Sequence, residues 1–300
     1  FLNRRGSASY VFCRDCGHAL RCPRCETSLT VHLNQGSLRC HHCGYQRGIP
    51  RTCPVCGSKR IRHLGTGTEQ VESSVKKLLP DARTMRWDRD TTRTKGAHWE
   101  IMEKFSSHQA DVIIGTQMLA KGLDLPLVTL VGVVLAESGL HLPDYRAAER
   151  TFQTLTQVAG RAGRSPLGGQ VILQTFEPDH YVIQAAAGHD YRAFYQQEIS
   201  YRQELGYPPF MNLVRLEVRD RDYKAAESKA RTYTAALEGW IRKEGYRSTR
   251  LVGPTPPYFA KLRGEYRWQL LIKGPDPVKL VRDHPPSADW MIEVDPPTIL

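Results

Sequence analysis

The order of hydrophobic segments predicts an α/β fold: a parallel, doubly wound sheet interrupted near its start by a cysteine-rich metal module and followed by an α+β domain. Three observations carry this. All eight cysteines fall between Cys13 and Cys56, as four C-x-x-C pairs. Apolar strands then alternate with amphipathic helices as far as Leu205, the pattern of parallel pairing through helical crossovers. Beyond Gly206-Tyr207-Pro208-Pro209 the order of elements becomes βαββαβ. A length of 300 residues suits two domains with a small insert. The expected division is 1–10 for the start of the α/β domain, 11–62 for the cysteine module, 63–205 for the rest of the α/β domain and 206–300 for the C-terminal domain.

Composition removes several classes. Hydrophobic residues make up 40% and charged residues 24%, enough apolar material for packed cores and against intrinsic disorder. The longest apolar run, Val128 to Ala136, is too short for a bilayer, which takes about 20 residues. Phe1-Leu2-Asn3-Arg4-Arg5-Gly6 has neither a starting Met nor a signal peptide's apolar core, so it reads as a chain entered mid-protein. Lys and Arg total 42 against 31 Asp and Glu, a formal charge of +11. Residues 1–62 hold 11 of those cations and only 2 of the anions. Eight thiolates on two dications would lower the total to near +7, and a basic N-terminal bias would survive. Such a bias points to an anionic partner, nucleic acid first.

The cysteine pairs are Cys13/Cys16, Cys22/Cys25, Cys40/Cys43 and Cys53/Cys56. In a chain of this size they point to metal rather than disulfides. Two thiolates of one pair converge on one tetrahedral ion, and two pairs complete a closed structural site, for which zinc is preferred; spacing leaves iron open. Between Cys25 and Cys40, Thr27–Leu33 alternates, Asn34-Gln35-Gly36 turns and Ser37–Arg39 returns, a hairpin that brings the inner pairs together. A nested scheme follows: Cys22, Cys25, Cys40 and Cys43 on one ion, Cys13, Cys16, Cys53 and Cys56 on the other. Sequential pairing is the rival. His41 and His42 are expected to face solvent.

Within the α/β part, Thr66 and Glu69 stand at capping-box spacing before a helix that runs to Leu79 and stops at Pro80. Ala82–Trp87 and Asp111–Gly115 read as strands around a helix at Gly96–Phe105. Val128–Leu135 reads as a continuous buried strand. Pro143–Ala162 is expected to be one long helix with Tyr145, Ala148, Phe152, Leu155 and Ala159 on its core face. Gln170–Phe176 is a strand, and two helical stretches reach Leu205. In the C-terminal part the strands are Leu213–Val218, Leu251–Val252, Arg267–Ile272 and Trp290–Val294, and the helices Tyr223–Glu244 and Val278–Arg282. This is the ferredoxin-like order.

Two segments carry chemistry. Gln157, Arg161 and Arg164 step by four and three along the end of the long helix, nearly opposite Ala159. Glycines at 160 and 163 permit close approach, and planar guanidinium groups grip phosphate oxygens bidentately. A solvated charged helix end is the plain alternative. Gly115-Thr116-Gln117-Met118-Leu119-Ala120-Lys121-Gly122-Leu123-Asp124 follows a buried strand, where such sheets bind ligands. The loop Lys261-Leu262-Arg263-Gly264-Glu265-Tyr266-Arg267-Trp268 mixes cations with aromatics, a recipe for single-stranded nucleic acid. Alternation places Tyr266 and Trp268 on one face, which equally suits packing in a core.

Together the two α/β segments resemble motifs V and VI of superfamily 2 helicases. The four cysteine pairs, Gly65-Thr66-Gly67-Thr68, Asp88-Arg89-Asp90, Leu142-Pro143-Asp144-Tyr145-Arg146-Ala147 and Gly206-Tyr207-Pro208-Pro209-Phe210 extend the resemblance. Over essentially its whole length the chain is similar to the C-terminal half of the primosomal protein N′ (PriA) family of bacterial replication-restart helicases. The resemblance implies a RecA-like second helicase lobe holding the two-zinc insert, and a 3′→5′ ATP-dependent DNA helicase that restarts stalled forks and assembles the primosome. It implies arginine fingers at Arg161 and Arg164, ATP contacts at Gly122, Asp124 and Gln157, and magnesium with the nucleotide. It implies DNA contacts at Arg4, Arg5, Thr66, Thr68 and Thr116, joined by Lys261, Arg263, Tyr266, Arg267 and Trp268. Partners would be branched and single-stranded DNA, single-strand DNA-binding protein and other primosome proteins, in the cytoplasm and without a membrane. Glu137 stands where the resemblance implies Asp.

The chain contains no G-x-x-x-x-G-K-[ST] and no D-E-x-H box. It is therefore expected to carry half an ATP site and to be inactive alone. An ATPase-inactive adaptor that binds DNA or protein through its zinc module is the second reading; two retained arginines favour the helicase.

Overall fold

The computed structural model describes all residues except 3–9, 25–27, 33–35, 42, 64–66, 89–90, 93, 95, 117–118, 120–127 and 163–167. In chain order the first strands are β1 (Val11–Cys13), β2 (Thr30–His32), β3 (Ser37–Arg39), β4 (Gln46–Gly48) and β5 (Ile61–His63). Next come α1 (Thr68–Leu78), β6 (Thr84–Trp87), α2 (Ala97–Ser106), β7 (Val112–Gly115) and β8 (Leu130–Val133). A short 3-10 turn at Ala136–Gly139 precedes α3 (Ala147–Ala162), β9 (Gln170–Leu173), α4 (Tyr181–Ala187) and α5 (Tyr191–Leu205). The remainder is β10 (Asn212–Asp220), α6 (Tyr223–Glu244), β11 (Arg250–Thr255), β12 (Lys261–Leu262), β13 (Glu265–Gly274), α7 (Pro277–Asp283) and β14 (Trp290–Val294). No helix among the described residues is long and apolar enough to cross a membrane.

The chain forms two compact units. One gathers the parallel α/β elements, including Arg62–Leu140 and Ala148–Phe194. There β6 pairs in parallel with β7, and β8 with β9. The two pairs are stitched together by the first residues of the chain: Leu2 N donates to Gly115 O at 2.9 Å, and Val134 N donates to Phe1 O at 2.8 Å, with Leu2 bridging Val134 in parallel. Gly115 is required at the end of β7, because a Cβ there would lie 2.3 Å from Trp87 O. Val133, Phe152, Leu155, Val158, Val182, Ile183 and Phe194 form this unit's core.

Several expectations for this unit need correction. The helix expected from Pro143 starts at Ala147, so Tyr145 is not on its core face; Phe152, Leu155 and Ala159 are buried as expected. The strand expected to be continuously buried, β8, leaves Leu130 57% exposed, because only its opposite face meets the core. α1 starts with Gly67 as its N-cap, one residue later than the expected capping residue Thr66, which lies outside the described residues.

The other unit gathers His18–Ile61, His141–Ala147 and Tyr195–Leu300. Its ribbon is the antiparallel sheet β2-β3-β4, with Leu38 fully buried at the centre. Its larger sheet has the order β11-β13-β10-β14, antiparallel throughout, with β12 folded back on β13. That order is the ferredoxin-like one expected. Val214, Leu216, Val218, Leu270 and Ile272 face Ala226, Ala230 and Leu237 of α6 and Leu280 of α7. Helix ends follow local chemistry: Asp222 accepts from Ala225 N at 2.7 Å to cap α6, which stops at Gly245 in the left-handed region (φ 76°). Asp276 caps α7 with Pro277 at its first position.

Candidate metal centre and motif loops

Three of the four cysteine pairs share a turn that their sequence dictates. After each second cysteine stands a glycine, and Gly17, Gly44 and Gly57 have φ of 73°, 76° and 72°. Each returns its N–H to the carbonyl of the pair's first cysteine: Gly17 to Cys13 at 2.9 Å, Gly44 to Cys40 at 3.0 Å and Gly57 to Cys53 at 2.9 Å. A side chain at Gly17 would lie 2.4 Å from Phe176 O, so both backbone angle and space demand glycine there. C-x-x-C-G is thus a stronger signal than C-x-x-C, and it was open to sequence reading. Backbone amides also point at sulfur, Asp15 N to Cys13 Sγ at 3.4 Å and Arg24 N to Cys22 Sγ at 3.5 Å. Such contacts favour thiolate over thiol.

The Sγ atoms of Cys13, Cys16, Cys53 and Cys56 all lie within 4.8 Å of one another, as do those of Cys22, Cys40 and Cys43. Cys25 lies outside the described residues. Cys22 Sγ and Cys43 Sγ are 3.5 Å apart, far longer than a disulfide. A tetrahedral zinc with Zn–S near 2.3 Å separates its sulfurs by about 3.8 Å, so the donor set fits zinc.

His41, expected in solvent, is buried. Its Nδ1 lies 3.1 Å from Pro256 O and its ring meets Tyr258 edge-on. The imidazole docks the ribbon on the loop after β11, a contact that spacing cannot reveal. His42 lies outside the described residues.

In the α/β unit the Thr68 hydroxyl donates to Asp88 Oδ2 at 2.5 Å, and Asp88 Oδ1 accepts from Thr91 N at 3.0 Å. Arg86 lies 2.8 Å from Glu69 and 3.6 Å from Asp88. The Lys76 ammonium beside Glu72 holds its carboxyl below the usual range. The half-buried Thr68 hydroxyl is thereby tied to the turn after β6. Thr116 stands half-buried after β7; on α3, Gln157 is exposed and Arg161 half-buried. Arg4, Arg5, Thr66, Gly122, Asp124 and Arg164 lie outside the described residues.

The C-terminal loop divides. Lys261 and Arg263 are exposed, and the Lys261 ammonium sits 4.5 Å from the centre of the Tyr266 ring, which also meets Tyr223 edge-on. Trp268, expected as a DNA contact, is 3% exposed and packs in the core beneath α6. Arg267, also expected on DNA, is buried: its guanidinium lies 2.5 Å from Glu217, which Arg215 and Arg219 also meet at 2.8 Å. Burial alone would raise the Glu217 carboxyl, but Arg267, Arg219 and Arg215 together hold it below the usual glutamate range. Strand alternation explains both corrections, since residues 267 and 268 point to opposite faces of a sheet covered on both sides. Arg215, Glu217 and Arg219 alternate along β10, but Arg267 lies fifty residues on and nothing local marked it as their partner.

Comparison with known proteins places these features in one family setting. Residues 22–47 match the PriA DNA helicase Cys-rich region (CRR) domain, 65–166 the helicase conserved C-terminal domain and 203–297 the primosomal protein N C-terminal domain. The chain is 46% identical over 273 residues to the replication restart protein PriA of Bacillus subtilis, covering 91% of this chain and 33% of that protein. It is 43% identical to the Synechocystis protein of the same name, over 100% of this chain and 37% of the relative. For Chlamydia pneumoniae the values are 40%, 99% and 41%. The chain thus spans between a third and two fifths of these relatives.

Proposed function

The chain belongs to the replication restart protein PriA family, and on that premise we propose that it forms the C-terminal part of an ATP-dependent 3′→5′ DNA helicase that restarts stalled replication forks and assembles the primosome. The observation that carries this reading is the union, in one chain, of clustered thiols with a parallel sheet bearing Thr116 at a strand end and Arg161 on the following long helix. A lone zinc adaptor has no use for the second feature.

In this reading Cys13, Cys16, Cys53 and Cys56 hold one zinc, and Cys22, Cys25, Cys40 and Cys43 the other, as structural cross-links. Arg161 and Arg164 stabilise charge on the transferred phosphoryl group, while Gly122, Asp124 and Gln157 hold the nucleotide, which brings magnesium. Arg4, Arg5, Thr66, Thr116, Lys261 and Arg263 track DNA phosphates, and Tyr266 stacks a base. Arg267 and Trp268 are left out because both are buried. Single-strand DNA-binding protein and the other primosome proteins are the protein partners, and the cytoplasm the setting.

The test is ATP turnover. The 300-residue polypeptide, with no P-loop lysine, is expected to hydrolyse no ATP above background, and to become a DNA-stimulated ATPase when a P-loop lobe precedes it. In that joined protein Arg161→Ala or Arg164→Ala should cost roughly 10³–10⁵ in rate. Arg→Lys should not restore it fully, since a point charge lacks the planar grip. DNA binding without nucleotide should persist. DNA binding with no ATPase in the joined protein would favour the adaptor reading instead.

A further inference from the structure

The two ends of the C-terminal sheet belong to one compact unit and differ in chemistry. Where α6 begins, the Lys261 ammonium covers the Tyr266 ring and Arg263 is exposed in the same turn. Where α6 stops, Arg242-Lys243-Glu244-Gly245-Tyr246-Arg247-Ser248-Thr249-Arg250 sets four cations in nine residues, and all four are exposed. A tight turn holds them, with Arg247 N donating to Gly245 O at 2.7 Å and Thr249 N to Tyr246 O at 3.0 Å. The one carboxylate of the stretch, Glu244, lies 2.7 Å from His284 Nε2. Among the described residues none of the four cations meets a carboxylate. Elsewhere on the same helix and sheet pairing is usual: Lys229 with Asp220 and Asp289, Arg231 with Glu227, Arg219 with Glu217.

Cations in a last helical turn complement the helix dipole, which accounts for Arg242 and Lys243 without a ligand. It does not account for Arg247 and Arg250, which lie past the helix. Arg250 stands directly across the β11–β13 pair from Lys273, and like charges so placed destabilise a sheet. Lys273 is tied to Leu205 O at 2.6 Å and sits 4.7 Å from the centre of the Tyr207 ring, both neutral groups. Burial, then the Arg250 guanidinium, hold its ammonium below the usual lysine range. An anion at this end would relieve the repulsion. The aromatic residues here, Trp240 and Tyr246, pack against the core. Single-strand sites combine cations with open rings. A duplex keeps its bases stacked and presents one phosphate charge per ~1.7 Å of axis. We propose that Arg242, Lys243, Arg247 and Arg250 form a second nucleic-acid site, which takes the phosphate backbone of duplex DNA irrespective of sequence. This rests on the reading that the chain binds DNA, and gives its C-terminal domain two chemically distinct contacts. Along β13, Tyr266 and Lys273 are about 23 Å apart. Charges so far apart are screened from one another at physiological salt, where the Debye length is about 8 Å, so the two ends act independently.

The test is fluorescence anisotropy on the zinc-loaded 300-residue chain without nucleotide. The probes are a blunt duplex, an oligo-dT strand of the same length and a poly-glutamate peptide. Replacing both Arg247→Ala and Arg250→Ala should weaken duplex binding roughly 30-fold at about 0.15 M salt. The slope of log K against log salt should become shallower by about 1.8, the share of two phosphate contacts. Affinity for oligo-dT should stay within twofold, whereas Lys261→Ala with Arg263→Ala should weaken oligo-dT more than duplex. Arg247→Lys with Arg250→Lys should keep duplex binding within threefold, because counterion release needs charge and not a planar grip. Arg247→Gln with Arg250→Gln serves if the alanine pair does not fold. Unchanged duplex affinity and slope would overturn the site, and an equal loss on duplex and oligo-dT would overturn its duplex preference. Loss of poly-glutamate binding with duplex binding intact would assign the patch to an acidic protein partner and overturn it as well. A parent chain that binds neither DNA probe would overturn the DNA reading itself, and this site with it.

Discussion

Strands β2, β3 and β4 of the ribbon are three residues each, whereas β10 and β13 of the neighbouring sheet run to nine and ten. Among the described residues the ribbon buries few large apolar side chains, Leu20, Leu29 and Leu38, while the sheet sets seven buried residues against five of α6 and α7. The two regions touch, through His41 against Pro256 and its carbonyl against Gln269. Yet they are held by different means. Small modules cannot remove enough surface from water to offset chain entropy, and they turn to cross-links. In the ribbon these are clustered thiols placed to hold a metal; in the sheet they are hydrocarbon on one face and an ionic cluster around Glu217 on the other.

Metal removal should separate the regions most sharply. A chelator is expected to strip two zinc ions per chain and abolish hydrogen-exchange protection in β2–β4 while β10 and β13 keep theirs, since structural zinc contributes about 10–16 kcal/mol in small modules. A metal content near one, or simultaneous melting of both regions, would break the comparison. Next in size is Glu217→Ala, which takes the carboxylate from buried Arg267 and leaves buried Arg215 with Glu293 alone. The expected cost is about 3–5 kcal/mol in urea unfolding of the C-terminal sheet, with zinc content unchanged.

The same carboxylate gives the sheet an acid limit. Because the folded-state value is lowered, Glu217 contributes its stability above the ordinary glutamate pKa of about 4.3 and loses it as pH falls through the folded value. Acid titration followed by tryptophan fluorescence should show a transition that Glu217→Gln removes. Leu237→Ala, at a fully buried site facing the sheet, should cost about 2–5 kcal/mol and leave the zinc sites loaded. The smallest effect is expected at Arg231, whose largely exposed guanidinium lies 5.7 Å from the Trp268 ring. Arg231→Ala should cost about 0.5–1 kcal/mol, readable as a small fall in urea midpoint. A larger loss there would mean that the sheet, too, depends on a few cross-links rather than on its core.

What the amino-acid sequence determined by itself is whatever is written in near neighbours. Cysteine spacing, glycine after the second cysteine, the span Tyr223–Glu244 with Asp222 before and Gly245 after, and the strand Trp290–Val294 all follow from contacts within a few residues. The βαββαβ order was legible too, because it is a sequence of local periods. The tertiary structure alone decided which side of a strand would be covered by something distant. Arg267 and Trp268 carried a nucleic-acid pattern, yet one went to Glu217, fifty residues earlier, and the other beneath α6. His41 left solvent for Pro256. Tyr145 left the helix face its spacing suggested and entered a stack with Tyr207. Each is a long-range choice in which aromatic surface or charge is removed from water only where a partner stands, and the partner's position is a property of the fold and not of the local sequence.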